Sequence, residues 1–285
     1  MSFKNTVLPV QTTLQSNGRL LSIEKPVVMG ILNATPDSFY NKGRDSSTGE
    51  LIQNAGRMLE QGAVILDVGG ASSKPGSAII NVQEEQDRVL PAIEVIRKHF
   101  PQAWLSCDTY HSGTAKEVVK AGVDIINDIS SGSIDKQMLS TVAKLNVPYI
   151  SMHMQGTPET MQLNPQYDDA LKEVRDYLRG VCDDCEEVGI TDVIIDPGFG
   201  FGKTVAHNFE LLKGLHTFRM LGRPILAGIS RKSMVCKPLK VSPEHALNGT
   251  TALHMVALQQ GADILRVHDV KEAMEVITLF EQLNN

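Results

Sequence analysis

A chain of 285 residues with 42% hydrophobic and 21% charged residues has ordinary globular usage. That usage excludes an intrinsically disordered protein, and the length suffices to bury a core without disulfide or metal staples. The formal net charge of -6 argues against a protein that wraps nucleic acid or lies on an anionic membrane, so any anionic ligand needs a local basic pocket. At about 150 residues per domain the length suggests roughly two domains, but a closed α/β barrel uses about 250 as one.

In chain order, Met1–Thr13 lacks the apolar stretch of a secretion signal, and nowhere does an apolar run reach the length of a membrane span, so the expected location is cytoplasmic with no membrane partner. Val7–Leu14 and Leu20–Ile23 flank Ser16-Asn17-Gly18-Arg19 and predict a β-hairpin, a lid for a barrel bottom. Eight short apolar runs follow: Val27–Leu32, Ala63–Val68, Ala103–Cys107, Val123–Ile126, Val147–Met152, Asp192–Ile195, Pro224–Ile229 and Asp263–Val267. Near-continuous apolar runs of this length suit parallel strands buried on both faces. Between them, helical spacing predicts helices over Gly49–Gln61, Val82–His99, Gly113–Ala121, Ile134–Leu145, Tyr167–Val188, Ala206–Leu221, Pro243–Gln260 and Val270–Leu283. Gly62, Gly122, Gly189 and Gly261 stand as left-handed helix stops. The alternation predicts a (β/α)8 barrel, with a doubly wound open sheet as the alternative. No linker divides the chain, which gives one domain: hairpin over 1–25, barrel over 26–285.

Of the four cysteines, Cys182 and Cys185 form a CxxC inside a predicted helix with no second pair, which favours reduced thiols over a zinc or redox site.

Polar residues gather at the C-terminal ends of the eight runs, where barrel enzymes carry their sites. They are Asn33, Gly69–Gly76, Asp108-Thr109, Asn127-Asp128, His153–Gly156, Asp196–Lys203, Ser230–Ser233 and Arg266–Asp269. Two nucleotide readings fail. Gly198–Thr204 lacks the first glycine of a phosphate loop, because Pro197 occupies that place, and the third glycine comes one residue early for a dinucleotide fingerprint. A metal-dependent hydrolase is disfavoured because no paired histidines stand at a strand end.

The strand-end motifs, in order and at fitting spacing from about residue 27 onward, resemble those of dihydropteroate synthases, the folate-pathway members of the pterin-binding family. The segments are Met29–Phe39, Gly69–Gly76, Cys107–Thr109, Ile126–Ile129, Met152–Gly156, Asp196–Lys203, Ser230–Ser233 and Arg266–Asp269. The resemblance implies a barrel that joins p-aminobenzoate to 6-hydroxymethyl-7,8-dihydropterin diphosphate. Pyrophosphate would be released with magnesium assisting, by a dissociative displacement. It implies a pterin pocket of Asp108, Asn127, Asp196, Lys232, Met152 and Phe201. Ser73, Pro75, Phe39 and Ser233 fall to p-aminobenzoate. Asn33, Ser73, Lys74, Arg266 and His268 fall to the diphosphate, with Asn33 as the magnesium ligand. Asp108, Lys232, Arg266 and His268 are the catalytic set, and the resemblance implies a homodimer.

These assignments make chemical sense. A carboxylate accepts paired hydrogen bonds from a pyrimidine edge, an arginine forks onto phosphate oxygens, and a histidine donates more strongly when protonated. The simpler structural readings are that Arg266 pairs with Asp269, that Asp196 closes a turn with Pro197, that Phe199 is core, and that His153 is structural rather than ligand-touching. The second loop reads Ala71-Ser72-Ser73-Lys74-Pro75-Gly76 where Glu-Ser-Thr-Arg-Pro-Gly is frequent, and the first continues Tyr40-Asn41-Lys42-Gly43 rather than Asp-Gly-Gly. Lys74 keeps the charge but loses the bidentate fork, which bears on ordering of the loop over pyrophosphate. The loop departures together carry an expectation of an active synthase with altered handling of sulfonamides. The rivals are a methyl-transferring pterin protein and a non-catalytic pterin-binding paralogue.

Overall fold

The computed structural model describes residues 10, 12–34, 44–71 and 76–284, the side chains of 44–47 excepted. Strands β1 (Thr13–Ser16) and β2 (Arg19–Ser22) form the antiparallel hairpin. Its turn residues, Asn17 and Gly18, both have positive φ (51° and 74°), as a two-residue turn matched to strand twist requires.

Eight parallel strands follow: β3 (Val27–Asn33), β4 (Ile65–Gly69), β5 (Trp104–Asp108), β6 (Ile125–Asp128), β7 (Tyr149–Met152), β8 (Val193–Asp196), β9 (Leu226–Ala227) and β10 (Ile264–Val267). Their ladder runs β8-β7-β6-β5-β4-β3-β10-β9, and a bridge between Ile195 and Ile225 joins its two ends into a nearly closed barrel. The open sheet is thereby excluded. Around it lie α1 (Arg44–Glu60), α2 (Val82–His99), α3 (Ser112–Lys120), α4 (Met138–Leu145), α5 (Ala170–Val188), α6 (Val205–Lys213), α7 (Ser233–Leu239), α8 (Leu247–Gln259) and α9 (Val270–Asn284).

Strand alternation divides the core. Outward residues such as Val28, Leu66, Leu105, Ile126 and Leu265 pack under the helices. Inward residues Met29, Ile65, Trp104, Ile125, Ile150, Ile194, Leu226 and Ile264 fill the barrel floor, and Leu14, Leu21 and Ile23 of the hairpin segment seal it from below. The lid expectation holds for the described residues, with Arg19 donating to the Gln102 carbonyl (2.5 Å) and Gln15 N–H to Asp192 Oδ2 (2.5 Å).

Local chemistry sets the helix ends. Asn81 caps α2 by accepting from Glu84 N–H (3.0 Å), and Asp169 caps α5 by accepting from Lys172 N–H (2.8 Å). The four glycine stops all have positive φ. Four expectations need correction. The predicted Ala206–Leu221 helix breaks at Gly214, where a Cβ would stand 2.3 Å from Leu171, and continues as a 3-10 turn over Leu215–Leu221. Helix α4 starts at Met138 because Asp135 accepts from Gln137 and Ser112 N–H and holds the preceding residues in a turn. A separate 3-10 turn, Pro243–His245, precedes α8. Helix α7 was not legible because it is short and contains Pro238. Cys182 and Cys185 are buried on α5 as free thiols, their pKa values pushed up to about 11 and about 12 by burial, as expected of inert cysteines.

Candidate active site

Two residues above the apolar floor, five of the eight inward faces turn polar, while those carrying Ile31, Met152 and Gly228 do not. Met29, Ile65, Trp104, Ile125, Ile194 and Ile264 are succeeded by Ile31, Asp67, Ser106, Asn127, Asp196 and Arg266. Another two residues on come Asn33, Gly69, Asp108 and His268. The period of two therefore puts a polar layer on a hydrophobic floor at the C-terminal mouth. Above it opens a cavity of about 590 Å³ whose lining includes Asn33, Asp108, Phe201, Lys232, Arg266 and His268. Ser233 also lines this cavity, while Asn127, Asp196 and Met152 are buried just behind its lining, Asn127 bonded to Asp67, Asp196 beside Gly228 and Met152 packed with Phe201. The structure thus brings together every sequence-predicted site residue it describes. Phe39, Ser73, Lys74 and Pro75 lie outside the described residues.

At the centre is a chain of hydrogen bonds across four strands. Arg266 donates from Nε to Asp67 Oδ2 (2.7 Å) and from Nη2 to Asp108 Oδ2 (3.0 Å), and Asn127 Nδ2 donates to the same Asp67 oxygen (3.1 Å). Asp67 is fully buried, and its Oδ1 has no partner among the described residues. Asp67 was missed by the sequence reading. Its signal was present: a charge in the middle of a strand buried on both faces must point inward and be paired. The surface pairing of Arg266 with Asp269 is corrected, because Asp269 is held by both Arg231 Nε (2.8 Å) and Nη2 (2.7 Å).

Opposite this chain, Asp196 and Lys232 flank Gly228, at which a Cβ would stand 3.5 Å from Lys232 Nζ and 3.8 Å from Asp196 Oδ2. Asp196 Oδ1 accepts from Gly198 N–H (2.7 Å). This closes a turn after β8 and leaves Oδ2 on the Lys232 side of Gly228. Lys232 donates to the Phe199 carbonyl (2.6 Å), and its Nζ stands 4.7 Å from the Phe201 ring centroid. Phe199 is core, fully buried. His153 is structural, its Nδ1 taken by buried Lys203 (2.9 Å).

Burial and neighbours shift the titrating groups. Burial pushes Asp108 up to about 7, against the pull of Arg266 and with the help of Asp67 and Glu85. Burial brings Lys232 down to about 8, partly offset by Asp196. Asp196 is raised by burial and restrained by Lys232. Arg266 stays charged: burial opposes it, but the Asp67 and Asp108 carboxylates prevail. His268 falls to about 4 through burial and the positive charge of Arg266. It is therefore neutral near pH 7, so the stronger donation that protonation would bring is not drawn on there. Its Nδ1 meets Ser230 Oγ at 3.0 Å, and that oxygen accepts from His268 N–H (3.2 Å), so a Ser230 hydroxyl donating to Nδ1 leaves the ring proton on Nε2.

Comparison with known proteins agrees with this geometry. Residues 29–268 match the pterin binding enzyme family. A dihydropteroate synthase of Escherichia coli (strain K12) is 44% identical over 270 residues, covering 94% of this chain and 95% of that protein. The Yersinia pestis dihydropteroate synthase, in a sulfonamide drug complex, superposes with a TM-score of 0.88 at 41% identity, covering 95% of this chain and 99% of that one. The Xanthomonas albilineans dihydropteroate synthase in complex with 7,8-dihydropteroate gives 0.85 at 36% identity, with 95% and 98% covered. The chain belongs to the pterin-binding enzyme family. Its activity is that of a dihydropteroate synthase.

Proposed function

We propose that the cavity at the barrel mouth condenses 6-hydroxymethyl-7,8-dihydropterin diphosphate with p-aminobenzoate by dissociative loss of pyrophosphate, the described residues acting as follows. Asp196 accepts the N–H and amino donors of the pterin's pyrimidine edge, with Asn127 beside it and Met152 and Phe201 as the apolar walls. Asp108 faces the exocyclic methylene and stabilises the positive charge that builds there as the C–O bond opens. Lys232 lies along the pterin, and Ser233 reaches towards p-aminobenzoate. Arg266 spends two of its N–H groups on Asp67 and Asp108 and keeps the others for phosphate oxygens, so it joins the leaving group to the carboxylate without letting go of either. Neutral His268 adds one donor from Nε2. The arylamine attacks as the neutral species, and no strong base is needed.

Asn33, exposed at the end of β3, fits magnesium through its amide carbonyl. Among the described residues no three His, Cys, Asp or Glu converge as metal ligands, so the ion would complete its shell with diphosphate oxygens and water, as magnesium commonly does. When bound it neutralises charge on the departing diphosphate. The product of this reading, 7,8-dihydropteroate, is the compound bound to the Xanthomonas relative. Among the described residues no helix is long and apolar enough to cross a membrane, in keeping with a cytoplasmic site of action. Exposed Leu279 and Leu283 on α9, which packs against α8, support a homodimer through that helix, which light scattering tests.

The observation that carries the reading is the continuous Asn127–Asp67–Arg266–Asp108 chain under a cavity that Asp108, Arg266 and Lys232 line, with Asp196 beside Lys232 at Gly228. The test follows pyrophosphate and dihydropteroate together by chromatography. Equimolar appearance of both, abolished by Asp196→Ala, supports it. Tight pterin binding without product in the native chain would move it to the paralogue reading, with Lys74 and its loop as the suspects. Altered sulfonamide handling is a separate proposal, and ordinary inhibition constants overturn it.

A further inference from the structure

The glycine-rich segment after β8, excluded above as a nucleotide loop, is organised around a lysine of its own. Lys203 is buried (2% exposed) and turns its Nζ back into the loop, donating to His153 Nδ1, the Gly198 carbonyl and the Phe201 carbonyl, each at 2.9 Å. Burial pulls the Lys203 pKa well below the usual lysine value, against the pull of Asp196; in its charged form the group has three N–H groups, which these three acceptors match. The His153 carbonyl stands further off at 3.3 Å. Burial, together with Lys203, lowers His153 to about 2, so the ring is neutral and its Nδ1 is free to accept.

The remaining carbonyls of the loop are also fixed by side chains. Phe199 O accepts from Lys232 (2.6 Å), Gly200 O from Gln162, Gly202 O from the Tyr167 hydroxyl (2.8 Å) and Lys203 O from Asn208 (3.4 Å). The loop lies flat on the segment after β7: a Cβ on Gly198 would stand 1.9 Å from the His153 carbonyl oxygen, and one on Gly202 would stand 2.6 Å from that of Gln155. Burying an ammonium here is expensive, and an apolar chain of similar length would cost less desolvation. What the ammonium adds is convergence. It draws two carbonyls, either side of the Phe199–Gly200 pair, onto one point, and so fixes the peptide planes between them.

We infer that Lys203 is a positioning residue for the pterin-facing side of the cavity: by gathering Gly198 O, Phe201 O and His153 Nδ1 it aims the Phe199 carbonyl at Lys232 and sets the Phe201 ring beneath it. The inference rests on the reading that Lys232 and Phe201 face the pterin. A role in stability alone predicts a lower melting temperature with unchanged substrate preference, whereas positioning predicts a defect confined to one substrate.

The test compares Lys203→Met, His153→Leu and His153→Asn, the last keeping an acceptor close to the place of Nδ1. Thermal midpoint, KM for each substrate and calorimetric affinity for 6-hydroxymethylpterin are measured for each. Lys203→Met and His153→Leu are expected to raise the KM for dihydropterin diphosphate about tenfold, the scale of one buried hydrogen bond lost. The KM for p-aminobenzoate stays within about twofold by the same reasoning, and His153→Asn restores the pterin value. Folded variants with an unchanged pterin KM, or with equal losses for both substrates, overturn the inference. So does failure of both Lys203→Met and His153→Leu to fold, which would give Lys203 to stability alone. Asp196→Ala is the control on the underlying reading: if it keeps full pterin affinity, the pterin-pocket assignment fails, and this inference falls with it. Loss there, with Lys203→Met unaffected, rejects the Lys203 role alone.

Discussion

Arg266 and Asp67 meet at 2.7 Å inside the barrel although their strands, β10 and β4, are separated by β3 and the residues stand 199 apart in sequence. The guanidinium reaches past the intervening strand, on which Met29 is the register partner of Arg266 and Ile31 that of Asp67. It then spans to Asp108 on β5 at 3.0 Å. One buried aspartate thus sets the direction of the residue assigned to the leaving group. Asp67→Ala leaves Arg266 and Asn127 with one buried acceptor fewer. The expected loss is about 3 kcal/mol of stability, typical of breaking a buried pair from one side. Asp67→Asn keeps an acceptor and is expected to cost about 1–2 kcal/mol. Urea unfolding measures both, and equal, negligible losses would show that the pair is dispensable.

The pH dependence follows from Asp108 and Lys232. Asp108 must be ionised to oppose a developing cation, and that form accumulates as pH rises through about 7. Lys232 must be charged, and its charge is lost as pH rises through about 8. The profile of kcat/KM, which reports the free enzyme, is therefore expected to rise to near 7, fall beyond about 8 and peak between them. His268, held neutral with its pKa near 4, contributes no limb around 6. Lys232→Arg should remove the alkaline limb, whatever it does to the maximum. An acid limb near 4 would mean that Asp108 is not the group being titrated.

Two glycines make opposite predictions. Gly198 has φ of +71° and no space for a side chain, so Gly198→Ala combines left-handed strain with a backbone collision. A loss of about 3 kcal/mol or more is expected, read as a lower thermal midpoint and a poorly folding product. Gly180 lies exposed within α5 with nothing within 4 Å of a built Cβ. Gly180→Ala there removes only backbone freedom of the unfolded chain, and a gain of about 0.5–1 kcal/mol is expected.

The barrel was legible because each strand is a short apolar run with a polar end, and because glycine stops punctuate the helices before four of those runs. The site was legible as far as its residues stand at strand ends: Asn33, Asp108, Asn127, Asp196, Arg266 and His268 all do. Asp67 sits one alternation deeper, inside a run that reads as apolar, and its importance shows only when the inward face is separated from the outward one. Lys203 was visible as the end of a glycine motif, but nothing in a motif shows that a side chain will fold back on its own loop. Charge states were not legible at all. His268 reads as a protonatable donor until its burial, and then the positive charge of Arg266, are seen.

Magnesium supplies the last prediction. Asn33 is the single described side chain proposed to hold it, so the ion's affinity should depend chiefly on the diphosphate. Removing Asn33 should weaken rather than abolish the metal effect. Chelation with excess EDTA is expected to suppress turnover, and magnesium to restore it. In Asn33→Ala the magnesium concentration for half-maximal rate should rise about tenfold, a factor in keeping with loss of one neutral oxygen ligand from a shell otherwise made of phosphate and water. Affinity for 6-hydroxymethylpterin, which lacks the diphosphate, should be unchanged in the same variant, because Asn33 lies on β3 away from the Asp196 side of the cavity. If the magnesium requirement does not move while pterin affinity falls, Asn33 belongs to the pterin pocket and not to the metal.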